Sequence, residues 1–284
     1  MSVINTNVAS LRTQAAMGQN TKALQGVMEQ LSTGKRINSA ADDAAGLAIS
    51  TRLTSQINGL NQAVRNANDG ISMLKTTEGA TDTVTNMLQR MRELAIQGAN
   101  GTNSSADIES MNTEYQQLYS EMKRIANTTA WNNMNVLDGT FSGGVSFMVS
   151  EVAGPNSKIS AAIASFDPTA GATNALVDGF AAMSGSSISA GSTATDLLNK
   201  ISVAISGVNK VRSTLGATIN RLQFTVDNLT NVSTNLSASR SQIEDVDYSE
   251  ATADLAKRQV IQQAATAMLA QANQQPQSVL SLLK

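Results

Sequence analysis

A stripe of apolar residues limits this chain more than any other feature. Ile57, Leu60, Val64, Ala67, Ile71 and Leu74 are spaced 3, 4, 3, 4 and 3 residues apart. Val84, Met87, Met91 and Leu94 resume the rhythm. Alternating steps of three and four are the seam of a coiled coil. They predict one helix over about 43–99, with Gly79 as the point that could interrupt it. Unbroken, such a helix spans on the order of 80 Å at 1.5 Å per residue. Proline does not object: Pro155, Pro168 and Pro276 all lie in the second half, so nothing before them forbids a long helix. Gly101-Thr102-Asn103-Ser104 is a turn signal, with Ser104 or Ser105 suited to an N-cap. Ile108, Met111, Tyr115, Leu118, Met122 and Ile125 then predict a second helix folded back on the first. A third stripe runs through Ile201, Ile205, Val208, Leu215, Ile219, Leu222, Val226, Leu229 and Leu236, with polar Arg212 and Ser233 at two seam positions.

Long helices with narrow stripes make an elongated, all-α bundle rather than a thick layered core. Composition agrees. Aromatic residues are 3% of the chain, and large aromatics normally supply much of a compact core. The chain has no His and no Cys. That removes Ser-His-Asp and Cys-His nucleophiles, His/Cys zinc sites and disulfides. A net charge of −2 argues against a nucleic-acid partner. Apolar runs fall far short of the roughly 20 residues of a membrane span, and Met1–Gln30 lacks the pattern of a secretory signal. Asp42-Asp43 reads as a solvated helix start. Asp245-x-Asp247-x-Ser249 opens like a calcium loop, but Glu250 stands where Gly is needed and Ala256 where Glu is needed. The expectation is an interaction protein with no catalytic residues, metal or cofactor.

The two ends carry weaker copies of the stripe. Ile4, Val8, Leu11 and Ala15 begin one, continued by Leu24, Val27 or Met28, and Leu31. Leu255, Val260 or Ile261, Ala265, Met268, Leu269 and Ala272 form the other, closed by Val279, Leu280, Leu282 and Leu283. An apolar tail at a chain end implies something that covers it. The middle is different. Residues 147–152 and 158–163 read as two strands of a hairpin, Asn174–Met183 as one short helix, and 184–195 as a Ser/Gly/Ala/Thr loop or linker. The expected organisation is a terminal coiled coil from 1–42 with 246–284, a helical bundle from 43–140 with 196–245, and a small β-hairpin insert over 141–195. Three classes stay open on this reading: a polymerising structural subunit, a signalling helical hairpin, and an enzyme with its site in the insert.

The segment Leu31-Ser-Thr-Gly-Lys-Arg-Ile-Asn-Ser-Ala-Ala-Asp-Asp-Ala-Ala-Gly-Leu-Ala-Ile-Ser50 is more specific. It resembles the N-terminal signature of bacterial flagellin, as does Ser10-Leu-Arg-Thr. Ser239-Arg-Ser-Gln-Ile-Glu-Asp-Val-Asp-Tyr248, Leu215-Gly-Ala-Thr-Ile-Asn-Arg-Leu222 and Gln271–Lys284 resemble segments of its C-terminal region. The likeness covers about 1–140 and 197–284 and leaves only a short centre, so the chain resembles a minimal flagellin. The resemblance implies a subunit exported through a type III channel without a cleaved signal and assembled into an extracellular helical homopolymer. It implies partners: an export chaperone, a filament cap and hook-junction proteins. It also implies that 1–42 and 246–284 order only on assembly, with Val8, Leu11, Leu31, Ile261, Met268, Val279, Leu280, Leu282 and Leu283 serving polymerisation. Gln89–Asn100 resembles the segment read by the vertebrate flagellin-sensing Toll-like receptor, which implicates Gln89, Arg90, Leu94, Glu114 and Leu118. The Leu282-Leu283 end resembles the part read by inflammasome receptors. A hook–filament junction protein is the nearest rival.

Overall fold

The computed structural model describes residues 6–152, 154–166, 180, 183–188 and 192–281. Among them are five helices: α1 (Val8–Thr33), α2 (Ala44–Gly98), α3 (Ser105–Thr128), α4 (Ser192–Glu244) and α5 (Tyr248–Ser281). Two antiparallel hairpins lie between α3 and α4: β1 (Ala130–Trp131) with β2 (Met134–Asn135), and β3 (Val145–Met148) with β4 (Lys158–Ala161). The chain forms two compact units, Met1–Ile57 with Thr234–Lys284 and Asn58–Ser233. α2 and α4 each contribute turns to both.

The Asn58–Ser233 unit has a continuous apolar core. Leu74, Val84, Leu88, Met91 and Leu94 of α2 are buried with Met111, Tyr115 and Met122 of α3 and with Ile201, Val208, Leu215 and Leu222 of α4. α2 does not break at Gly79. That glycine faces outward, where an added Cβ would meet nothing within 4 Å. The gap in the stripe between Leu74 and Val84 is filled by Thr77 and Thr81, both fully buried. The Thr77 hydroxyl donates to the Met73 carbonyl at 2.9 Å and that of Thr81 to the Glu78 carbonyl at 2.8 Å. A threonine that satisfies its own hydroxyl on the preceding turn presents its methyl to the core. The polar seam residues of α4 are accounted for as well. Arg212 pairs with Asp82 of α2 at 3.0 Å, and the Ser233 hydroxyl lies 3.2 Å from Asn61 Oδ1.

α3 opens on a capping box in which Ser104 and Asp107 each bond the other's backbone N–H. Asp107 is accordingly held below the ordinary carboxylate range by the Ser104 hydroxyl and backbone. The β3–β4 hairpin is shorter than its apolar pattern suggested, with Val145 opposite Ala161 and Met148 opposite Lys158. It packs Phe147 against Gly70 of α2, where an added Cβ would come within 2.8 Å of the ring. The β1–β2 hairpin was not anticipated. Its turn places Asn132 and Asn133 at φ 47° and 63°, a left-handed pair that asparagine tolerates.

The stretch expected as a loop or linker from 184 is a loop over 184–188, and it is anchored to the bundle. Ile188 is buried, and its N–H donates to Asn112 Oδ1 at 3.1 Å. Gln116 Nε2 donates to the Ser186 carbonyl at 2.9 Å. Ile188 sits so close to Gly98 that any side chain there would displace it. A Ser/Gly-rich composition hid one anchoring isoleucine. α4 then begins at Ser192, earlier than expected. Phe166 and Phe180 stack tilted at 5.6 Å. The short helix expected over 174–183 lies mostly outside the described residues.

In the other unit, α1 and α5 pair antiparallel. Asn7 Nδ2 donates to the Ala272 carbonyl at 2.7 Å, and Asn20 Nδ2 to the Arg258 carbonyl at 3.0 Å. Tyr248 Oη donates to the Leu31 carbonyl at 3.2 Å. Each step forward along α1 is matched by an equal step back along α5.

Candidate assembly surface

The seam between α1 and α5 differs from the expected stripe. On α1 the residues turned toward α5 are Ser10, Thr13, Met17, Asn20, Leu24, Val27 and Leu31, all buried or half-buried. On α5 they are Leu255, Arg258, Gln262, Ala265, Leu269 and Ala272. Val8 and Leu11 are not on this seam: Leu11 is 57% exposed. Neither are Val260, Ile261 and Met268, the last 62% exposed. Polar Ser10, Thr13, Asn20 and Gln262 hold seam places that a hydrophobic count passes over, beside Leu24, Val27, Leu31, Leu255, Ala265, Leu269 and Ala272 of the expected stripe. The seam joins the helices through asparagine-to-carbonyl bonds and a thin apolar line. Off the seam, Val8, Leu11 and Met28 on α1 and Val260, Ile261 and Met268 on α5 are uncovered. The side chains of Val279 and Leu280, and all of Leu282 and Leu283, lie outside the described residues.

The two signature segments meet at the root of this pair. Gly34 ends α1 in the left-handed region, φ 72°, a conformation glycine adopts without a Cβ penalty. The chain then crosses to the end of α4. Arg36 N–H donates to the Glu244 carbonyl at 2.7 Å, and its guanidinium to the Ile243 carbonyl at 2.7 Å. Val246 N–H donates to the Gly34 carbonyl at 3.1 Å. Glu244 is the hub: its carboxylate takes the Lys35 ammonium as an ion pair and accepts from the Ser50 hydroxyl at 2.7 Å. Lys35, and then Ser50, hold this carboxyl below its ordinary value. Ile37 plugs the loop and is buried against Gly46, where an added Cβ would lie 2.6 Å from it.

Asp42 and Asp43 are more than a solvated helix start. Asp42 accepts the Asn38 and Ser39 N–H groups at 3.1 and 2.8 Å. These bonds hold its carboxyl below the usual range, Ser39 contributing most. Asp43 accepts the Gly46 N–H at 2.9 Å, the bond of an N-cap. No spacing rule exposed this clasp, because its bonds run mostly through backbone atoms.

The receptor-like segment divides. Arg90 Nε donates to Glu114 Oε1 at 2.8 Å across α2 and α3, and its guanidinium also reaches Glu93 at 3.1 Å. Glu114, and then Glu93, push the Arg90 pKa above its ordinary value. Gln89 is exposed beside it, and Leu118 is half-buried. Leu94 does not join this patch. It is 2% exposed, in the core stripe with Met91 and Leu88. Positions four apart on a helix differ by about 40° of azimuth, enough at the edge of a narrow stripe to put one residue outside and the next inside. Tyr115 is fully buried, and burial raises its phenol pKa.

Among the described residues, no helix is long and apolar enough to cross a membrane, and no cluster of acidic side chains is suited to a metal ion.

Comparison with known proteins fits this architecture. Residues 4–142 match the bacterial flagellin N-terminal helical region, and residues 198–283 the C-terminal helical region. The 143–197 stretch between them is the part read from sequence as an insert. The chain is 43% identical over 282 residues to a flagellin of Halalkalibacterium halodurans, covering 99% of this chain and 100% of that protein. It is 39% identical over 286 residues to the flagellar filament 30.7 kDa core protein of Treponema maltophilum, covering 99% of each. The structure of a putative flagellar hook-associated protein of Vibrio parahaemolyticus aligns over 72% of this chain and 100% of that one, with a TM-score of 0.60. At 15% identity that likeness speaks for the fold alone. Both halves of the helical scaffold and near-complete coverage at this identity place the chain: it belongs to the bacterial flagellin family, the structural subunits of the flagellar filament.

Proposed function

We propose that the α1–α5 pair is the polymerising element of this chain, and that its uncovered apolar side chains are buried by successive copies along the filament. The observation that carries the reading is the division of the pair. Its mutual seam is a thin apolar line interrupted by Ser10, Thr13, Asn20, Arg258 and Gln262, while Leu11, Val260, Ile261 and Met268 stand in solvent. Uncovered apolar side chains on both helices of one pair mark an interaction site. A head-to-tail contact that does not close builds a helical fibre. The same thin burial supports ordering of 1–42 and 246–284 on assembly, since it does little to offset about 1–2 kcal/mol of backbone entropy per residue.

The test is seeded assembly followed by electron microscopy and sedimentation. The parent chain forms filaments. A chain lacking 276–284, or carrying Leu11→Asp with Met268→Asp, keeps its helicity and forms none. Filaments from the double variant at the parent's critical concentration would overturn the reading.

Export without a cleaved signal, and engagement of a chaperone, a cap and hook-junction proteins, accompany this proposal, as do the immune receptors. For the Toll-like receptor the exposed residues are Gln89, Arg90 and Glu114. Leu94 takes part only as the support beneath them. A reporter assay comparing the parent with Arg90→Ala/Glu114→Ala tests this; equal activity of the two would remove these residues from the contact.

A further inference from the structure

The outward face of α4 carries an unusual residue. Phe224 is 74% exposed, the most exposed of the large apolar side chains described. It belongs to a row of residues seven apart: Val203, Lys210, Ala217 and Phe224. At the other end of the row lies a shallow depression of about 550 Å³ whose lining includes Val203, Ser206, Gly207 and Lys210. These four stand at i, i+3, i+4 and i+7, the positions that form a hole for a knob from a parallel helix. Val203 offers an exposed apolar wall, and Gly207 leaves the floor without a side chain.

We infer that Phe224 of one copy docks into the Val203–Ser206–Gly207–Lys210 hole of a second copy, as a lateral contact between neighbouring subunits. This inference rests on the polymerisation reading and adds a surface outside the terminal helices. Charge selects the partner and the register. Copies along a fibre share one polarity, so their α4 helices meet in the parallel sense. Seating Phe224 between Ser206 and Gly207 displaces one helix by about 26 Å at 1.5 Å per residue. At that displacement Asp227 comes beside Lys210 of the second copy. Both are exposed, and neither makes an ion pair among the described residues. Arg221 falls level with Ala204, where it meets no like charge. The antiparallel alternative sets Asp227 against Val203 and Lys210 against Asn220, and gains no pair. Knob and hole lie on one chain at different heights, so the contact is head-to-tail and repeats without closing.

The chain has no cysteine, so introduced thiols report only on themselves. Lys210→Cys/Asp227→Cys chains are assembled on parent seeds and oxidised. The expected result is a ladder of covalent oligomers from filaments, absent from either single variant and from the unassembled double variant. Phe224→Ala, on a side chain that supports no core, raises the critical monomer concentration about tenfold with unchanged helicity. Lys210→Asp or Asp227→Lys alone raises it about threefold, and the two together restore it to within about twofold. Filaments that form normally but give no ladder, with Phe224→Ala indistinguishable from parent, overturn this contact and leave the terminal-helix reading standing. A parent chain that never forms filaments overturns both.

Discussion

The two units are built from the same kind of helix and held by different means. In Asn58–Ser233, α2, α3 and α4 bury leucine, methionine and tyrosine in one cluster, and the insert adds Phe147, Phe166, Phe180 and Ile188. In the terminal unit the buried apolar side chains among the described residues are Val27, Ile37, Ile57 and Ala251. Its other ties are polar: asparagine to carbonyl along α1 and α5, and the Glu244 clasp. At about 25 cal/mol per Å² of apolar surface, the first unit gains most of its stability from its core. The second leaves Leu11, Val260, Ile261 and Met268 uncovered. A heptad count does not separate these cases, since it registers where apolar residues stand and not whether they have a partner.

The sharpest way to break the contrast is to remove one large apolar side chain from each unit. Leu222 is fully buried, so Leu222→Ala is expected to cost about 2–5 kcal/mol in denaturant unfolding. Met268→Ala, at an uncovered position, is expected to change the stability of the single chain by less than about 0.5 kcal/mol and to impair filament growth. Similar losses of stability from both would show that the terminal pair has a core of its own.

A second substitution examines the part of the bundle hidden in the sequence. Gly98→Ala places a methyl where Ile188 lies. Overpacking of this kind costs about 1–3 kcal/mol. Hydrogen exchange reads it locally: the Ile188 N–H, now bonded to Asn112, is expected to lose protection while amides in the middle of α4 keep theirs. Uniform loss of protection would mean that the strap is part of the cooperative core.

These cases indicate what could be read from the chain and what could not. α2, α3 and α4 were legible because large apolar residues repeat at their helical period. The threonines of α2 were missed because a buried Thr hydroxyl that bonds its own helix counts as polar in any tally. The anchoring of the 184–195 stretch was not legible because Ile188, buried among its described residues, sits among small ones. On α1 and α5 helix formation and part of the seam were legible: Leu24, Val27, Leu31, Leu255 and Leu269 lie on it, whereas Val8, Leu11 and Met268 do not, since the seam there also uses Asn20 and Ser10. The clasp at Gly34–Ile37 was visible only as a family signature. Leu94 was grouped with Arg90 by the resemblance although it also stands in the apolar stripe of α2, and the edge of that stripe runs between them.

The clasp makes the terminal unit sensitive to acid. The Glu244 carboxyl is held below its ordinary value of 4.5 by the Lys35 ammonium and the Ser50 hydroxyl. A carboxyl depressed in the folded state contributes stability that is complete above the ordinary value and is lost as pH falls through the folded one. Stability of the terminal unit is therefore expected to decline below about pH 4.5. Glu244→Gln is expected to flatten that decline and to cost about 1.5–3 kcal/mol at neutral pH, the range of a hydrogen bond to a charged group. Limited proteolysis at Thr33–Ser39 across a pH series measures it. An unchanged acid slope in the variant would move the sensitivity to another carboxyl.

The smallest effect tests the comparison with a single kind of change made in both units. Gly79 in α2 and Gly18 and Gly26 in α1 all face open space, where an added Cβ meets nothing within 4 Å. Glycine inside a helix costs about 0.8–1.0 kcal/mol relative to alanine, so each Gly→Ala exchange should stabilise its helix by about that amount with no packing penalty. The consequence depends on where the helix stands. α2 is already fixed by a buried stripe, so Gly79→Ala adds its increment to the global unfolding transition and leaves helicity unchanged. α1 has little to fix it, so Gly18→Ala with Gly26→Ala is expected to raise the helical signal at 222 nm and lengthen survival of residues 8–33 under protease. It should leave the denaturant midpoint of the central unit where it was. An equal rise of that midpoint in both variants would mean that the two units unfold as one, and that the thin seam of the terminal pair is firmer than its burial suggests.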